Sequence, residues 1–324
     1  MNTMTDLPVS RPRTDPPSPP ADLASFWTTR LRRATAVEVG PRILADEIVA
    51  PDVRRLRLEY TSTDDVTIGA WITLPADGVV DRGIVRVHGY GGTAEADVIH
   101  PDLPRTAVIW PCARGLGELS LSPALPAAAP EHVLHGIEST ATYIHGGCVE
   151  DVWCAIDALE ELVPGVAGRI DLIGGSFGGG IGIMATAWDP RIRSAVVDVP
   201  SFGDHPVRVT IPCEGSGEAV RLRWLDDPAV LDVLAYFDAA SCARFIDVPV
   251  LIAPALSDPF VPPAGQWSIA DALPDSKQVF PLTAGHVAYP EEARERAAFE
   301  QATIAFLSDG EPVAASMPGN TAAK

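Results

Sequence analysis

The sequence predicts an α/β domain: a mostly parallel sheet wound by helices on both faces, entered through antiparallel strands and interrupted by a helical excursion. Three observations carry this. Short apolar runs closed by Gly or Pro, such as "GIVRVHGY" (83–90) and "TAVIWP" (106–111), read as buried parallel strands. Helix-length patterns alternate with such runs, as crossover connections require. With 324 residues, 47% hydrophobic and 21% charged, the chain can bury one large core.

Taken in order, residues 1–22 are rich in Pro, Ser and Asp and are expected to form a flexible tail before a domain over 23–308. "VRRLRLEYTS" (53–62) and "VTIGAWITLP" (66–75) carry alternating or β-branched residues and predict an antiparallel hairpin at a sheet edge. In "CVEDVWCAIDALEELV" (148–163), Val149, Val152, Trp153, Ile156, Leu159 and Val163 fall at helical spacing, giving an apolar face opposite an acidic one. That helix should stop at Pro164-Gly165. "RIDLIGG" (169–175) is a strand, and "GGIGIMATAWD" (179–189) a glycine-rich helix. "IRSAVVDVP" (192–200), "VPVLIAPAL" (248–256) and "KQVFPLTA" (277–284) are further strands. "PPAGQWSIADAL" (262–273) and "EEARERAAFEQATIAFL" (291–307) are helices, the second opened by Pro290 and two glutamates. The stretch 201–246 is too long for a simple connection and too apolar for a disordered one, so it predicts a helical cap over the C-terminal sheet edge. Residues 309–324 read as a second tail.

Composition excludes several roles. A net charge of −19, from 24 Lys and Arg against 43 Asp and Glu, argues against nucleic-acid binding. Five cysteines without CxxC spacing (Cys112, Cys148, Cys154, Cys213, Cys242) read as free thiols in a reducing compartment, with no zinc site. The N-terminus lacks the apolar centre of a secretory signal, and no apolar run is long enough to span a bilayer. A soluble, cytoplasmic protein without cofactor or metal is expected. His132 and His135 have HxxH spacing but no third ligand nearby, and read as loop histidines. The seven tryptophans are expected mostly in the core.

The chemistry concentrates at "GGSFG" (174–178). A serine hydroxyl is a poor nucleophile unless a base takes its proton and donors await the oxyanion. A G-x-S-x-G turn between strand and helix raises Ser176 at a helix N-terminus, where backbone N–H groups favour negative charge. Asp258 follows the strand at 248–256, and His286 follows the next strand. The order Ser, Asp, His on successive strand-end loops is that of the α/β-hydrolases. His286 would take the Ser176 proton while Asp258 orients the ring. Asp198, ahead of the excursion, is the second choice for the acid; Asp204 also competes. For the oxyanion, the backbone N–H groups of Phe177 and Tyr90 are the candidates, the latter in "HGYGG" (88–92). His88 fits loop packing better than base chemistry.

On "HGYGG", "ARGLGELS" (113–120), "GIESTATYIHGGCVEDVWCAIDAL" (136–159), "GGSFGGGIGI" (174–183), "SDPFVPP" (257–263) and "AGHVAYP" (284–290), the chain resembles the acetyl xylan esterase/cephalosporin C deacetylase family of α/β-hydrolases. The likeness covers most of 35–306. It implies removal of acetyl or other short acyl groups from hydroxyls, no metal, a small-molecule ester as partner, and ring-like homo-oligomers, often hexamers. Three positions depart from the family pattern: Phe177 and Leu116 replace glutamines, and Val287 replaces the glutamate after the histidine. These changes are expected to alter the surroundings and polarity of the pocket. Arg114 either braces the active-site loops or is a structural arginine. Two rivals to an esterase stay open: an amidase or aminopeptidase, for which the acidic residues of 214–227 would have to bind an amine, and a non-catalytic binding module.

Overall fold

A computed structural model of the chain describes residues 11–12 and 14–309. Among them the strands are β1 (Arg42–Ala50), β2 (Val53–Thr61), β3 (Thr67–Pro75), β4 (Arg82–Val87), β5 (Thr106–Pro111), β6 (Ile170–Gly175), β7 (Ile192–Asp198), β8 (Val250–Ala253) and β9 (Gln278–Val279). They form one open sheet in the order β1-β2-β3-β5-β4-β6-β7-β8-β9. β1 to β3 and the β3–β5 pair are antiparallel, and every pair from β5 through β9 is parallel. The helices are α1 (Leu23–Ala34), α2 (Ala129–His132), α3 (Ile144–Leu162), α4 (Phe177–Thr186), α5 (His205–Arg208), α6 (Ser216–Asp226), α7 (Val230–Leu234), α8 (Ala239–Ala243), α9 (Pro263–Ala272) and α10 (Glu292–Asp309).

The parallel strands bury both faces, and their residues alternate between two cores. Val85, Ala107, Ile109, Leu172, Ala195, Val197 and Ile252 join the larger core, with α1, α3, α4 and α8. Ile84, Val108, Trp110, Ile173, Val196 and Leu251 face the smaller one, closed by Phe306 and Leu307 of α10. Trp27, Trp153 and Trp267 sit in the first core and Trp71 and Trp110 in the second, with Trp188 and Trp224 packed partly buried against the first.

Several expectations shift. The hairpin of β2 and β3 is not the sheet edge, because β1 pairs outside β2. Nearly all of β1 is exposed on both faces, so "RILADEIVA" lacks the half-buried alternation by which a strand is read. The acidic face expected of α3 is divided. Glu150 and Asp151 are each 1% exposed, and only the later acids reach towards solvent. The excursion at 201–246 is helical as expected, made by α5 to α8. Residues 14–22, expected as tail, lie against the domain. Thr14 bonds Asp271, Arg244 donates to the Pro16 carbonyl at 2.6 Å, and the Tyr236 hydroxyl donates to Asp22 at 2.7 Å. Asp309, expected as tail, ends α10, and residues 1–10, 13 and 310–324 fall outside the described residues. No helix among the described residues is long and apolar enough to cross a membrane.

Candidate active site

Ser176 stands between β6 and α4 with φ 54° and ψ −119°, a conformation an L-residue adopts only under constraint. The constraint is visible. Its N–H donates to the Asp198 carbonyl at 2.9 Å, while its own carbonyl accepts from Ser201 (2.9 Å) and Gly180 (3.1 Å). Gly178 permits the turn to press against β4, since a Cβ there would lie 2.2 Å from the Val87 carbonyl.

Its hydroxyl lies 2.9 Å from His286 Nε2, and His286 Nδ1 lies 2.7 Å from Asp258 Oδ2. The Asp258 side chain is fully buried, whereas His286 is partly open to the cleft. Asp258 is itself tightly held. Its Oδ1 accepts from the N–H groups of Phe260 (2.9 Å) and Val261 (3.0 Å), and its Oδ2 accepts from Gln266 Nε2 at 3.0 Å. It is thus a turn aspartate and the partner of His286 at once, because its two oxygens serve different donors. Asp198, the second choice, turns to Arg296 at 2.8 Å. Asp204 caps α5 by accepting from the Val207 N–H at 3.3 Å.

Gln266, fully buried on α9, was not singled out from the sequence. It bridges the acid loop: Oε1 accepts from the Ala255 N–H at 2.7 Å, and Nε2 donates to both Asp258 and the Val261 carbonyl. Its one sequence signal is an amide among the apolar residues of "AGQWSIA".

The N–H groups of Tyr90 and Phe177 have no acceptor among the described residues, and the 88–92 loop runs beside Ser176, with the Gly89 Cβ direction 3.8 Å from the serine Cβ. His88 fixes this loop. Its Nε2 accepts from the Ala113 N–H at 2.9 Å, so Nδ1 carries the proton and donates to the Gly89 carbonyl at 2.6 Å. Burial pushes its pKa down, which keeps that neutral form.

Arg114 is a buried brace. It grips Asp151 through Nε and Nη2 (2.7 Å), reaches Ser62 and Thr63, and its N–H also donates to Asp151 at 3.0 Å. His132 donates from Nε2 to the Arg114 carbonyl at 3.0 Å, so it holds the same loop. No group of His, Cys, Asp and Glu among the described residues is arranged to hold a metal.

Of the three departures, two lie behind the cleft, where they change its surroundings and not its lining. The Phe177 ring is fully buried and lies 4.3 Å from the Tyr90 ring, among His88, His132, His145 and Phe202. Leu116 is buried too, at 2% exposure. The helical path from Ser176 sends the next side chain inward and leaves its N–H without an acceptor among the described residues. Val287 alone of the three lines the cleft, where it is 40% exposed.

The cleft above Ser176 measures about 960 Å³ and is walled by the 88–93 loop, the 214–217 turn with Val220 of α6, Phe260, Val261 and His286 to Ala288. The acids of 214–227 do not form a free cluster in it. Glu218 is held by Arg221 at 2.7 Å, and Asp226 and Asp227 lie beside Arg223. Chemically, the arrangement can deprotonate a serine, stabilise a developing oxyanion and deliver a proton to a leaving group.

The profile of the acetyl xylan esterase (AXE1) family matches residues 3–300. Among solved structures, an acetyl xylan esterase from Paenibacillus sp. R4 superposes with a TM-score of 0.75 at 22% identity, over 90% of this chain and 96% of that one. Acetyl xylan esterase 1 from Thermoanaerobacterium sp. JW/SL YS485 does so at 0.75 and 19%, over 89% and 95%. At such identities these likenesses speak for the α/β-hydrolase fold alone. The acetyl esterase Axe7A of Xylanibacter ruminicola is 24% identical over 151 residues, 45% of this chain; the match spans about a third (34%) of that protein's length.

Proposed function

The chain belongs to the acetyl xylan esterase (AXE1) family, and from that premise we propose that it is a serine carboxylesterase. It removes short acyl groups, acetyl foremost, from hydroxyls of a sugar or another small hydroxylated compound. The observation that carries this reading is the continuous hydrogen-bonded path from Ser176 Oγ through both nitrogens of His286 to Asp258, opening on the cleft. As Ser176 Oγ attacks the ester carbonyl, His286 Nε2 takes its proton, and Asp258 stabilises the imidazolium through Nδ1–H. The N–H groups of Tyr90 and Phe177 hold the oxyanion. His286 then protonates the leaving alkoxide, and in the second half deprotonates the water that releases the acyl group.

The amine-binding rival loses support because the acids of 214–227 are mostly engaged with arginines. An assembly of identical copies stays a proposal drawn from the family likeness. Fluorophosphonate labelling and hydrolysis of 4-nitrophenyl acetate test the reading. The protein should label at Ser176, and Ser176→Ala and His286→Ala should each lower kcat by a factor of about 10³ or more with the fold retained. An unlabelled, folded protein would instead favour the non-catalytic module.

A further inference from the structure

Three arginines are buried among the described residues: Arg30, Arg114 and Arg208. Arg30 and Arg114 each donate to a buried carboxylate, Glu150 at 2.8 Å and Asp151 at 2.7 Å. Arg208, 8% exposed, has no carboxylate partner among the described residues; it reaches Cys213 Sγ at 3.1 Å and the Phe260 carbonyl at 3.4 Å. The nearby Glu218 is committed to Arg221 at 2.7 and 2.8 Å. Glu218 lies near enough to interact with this charge but does not bond it, and a guanidinium withdrawn from water without a carboxylate in contact is costly, unless an anion arrives with the ligand.

Its neighbours point the same way. α5 places His205 one turn before Arg208, and both line the cleft that holds Ser176. His205 is 3% exposed, and among the described residues neither ring nitrogen makes a well-formed hydrogen bond, with the Phe237 backbone as a polar neighbour. The N-terminus of α6, an 11-residue helix, also opens on this corner. Its N-cap is Gly215, which supplies no capping side chain, and the N–H groups of Ser216 and Gly217 have no acceptor among the described residues. Gly217 admits the guanidinium, since a Cβ there would stand 1.5 Å from Arg208 Nη2. A cation therefore lies against the positive pole of a helix, and both line the cleft.

We propose that this corner of the cleft binds a carboxylate of the substrate, so that the ester hydrolysed carries an acid group on its acyl or its alcohol part. The inference rests on the esterase reading of Ser176. A single carboxylate matches the planar fork of one arginine beside two backbone N–H groups. The exposed Glu214 at the rim and the net charge of −19 disfavour a larger polyanion.

Two ester pairs test it: 4-nitrophenyl hydrogen succinate beside its methyl ester, and 3-acetoxybenzoate beside its methyl ester. One charged ester should exceed its neutral partner in kcat/KM by about tenfold or more, and the pair that does so identifies the acyl or the alcohol side. Arg208→Gln should bring that ratio close to one. Gly217→Ala keeps the charge but displaces the guanidinium, and should lower the ratio too. Ratios at or below one for both pairs in the unaltered protein would overturn the proposal. So would an unchanged ratio in an Arg208→Gln protein that retains the native circular dichroism spectrum. If Arg208→Gln does not fold, the unaltered protein and Gly217→Ala decide. If no ester is hydrolysed, the esterase reading is what has failed. Titration calorimetry with monomethyl and dimethyl succinate then reads the corner itself, tighter binding of the monoester supporting it and equal binding refuting it.

Discussion

At Asp258 one carboxylate does two jobs, and a buried amide makes that possible. Oδ1 is spent on the turn at Phe260 and Val261, so the orientation of Oδ2 towards His286 depends on Gln266. Gln266→Met keeps the volume but removes the donor to Asp258 and the acceptor for the Ala255 N–H. We expect kcat on 4-nitrophenyl acetate to fall about tenfold with little change in KM, and stability to drop by about 1–3 kcal/mol in urea unfolding. Gln266→Glu, which restores the acceptor but sets a second acid beside Asp258, should displace the pH–rate profile; a merely structural Gln266 would leave that profile in place. Phe177 carries a different lesson at this scale. A residue's backbone and side chain can serve different roles at a helix start, so its change from the family's amide leaves the N–H available and alters the interior.

Among the elements, α3 departs furthest from its pattern. Its apolar positions are where the periodicity places them, yet Glu150 and Asp151 are enclosed because Arg30 and Arg114 come to them from α1 and from the loop after β5. Periodicity cannot foresee that, since the partners are 120 and 37 residues away. The reading of Arg114 as a brace follows from the same contacts: it joins the loop after β5 to α3 and to Ser62 and Thr63. Arg114→Met would strand Asp151 in the interior, so we expect a loss of about 3–5 kcal/mol in denaturant unfolding, far more than an exposed arginine would show. β1 makes the converse case. Its cross-strand ion pairs, such as Arg54 with Asp46, hold an edge strand whose side chains mostly face water.

For the molecule as a whole, buried histidines set an acid limit. Burial pushes His205 down to about 3 and His132 down to about 4, and lowers His88 and His145 as well. All are held neutral in the fold but charge near pH 6.5 when unfolded. Their contribution is therefore fully present above about pH 6.5 and is lost as pH falls towards the folded values. The slope reaches about 1.4 kcal/mol per pH unit for each proton taken up on unfolding. Burial pushes Asp238 up to about 6 and raises Asp157 and Asp204 too, and these three acids work in the opposite sense at lower pH, against five histidines once His100, also lowered by burial, is counted. Urea unfolding free energies at pH 7.5, 6.0 and 5.0 should decline steadily; a flat profile would show that these rings find protons or water in the folded state.

The sequence by itself determined the succession of the main strands and helices from β2 onward, the turn that exposes Ser176, and the order in which Asp258 and His286 follow it. Each of these is local: a period, a glycine pair, a polar residue just past an apolar run. Only the tertiary structure decided that Asp258 and not Asp198 meets His286, that Gln266 steadies the acid, and that Phe177 and Leu116 turn away from the cleft. It alone shows Arg208 enclosed with no carboxylate bonded to it among the described residues. The physical reason is that burial, pairing and side-chain direction depend on what other segments bring to the same place, and a residue's own neighbours in sequence carry no record of that.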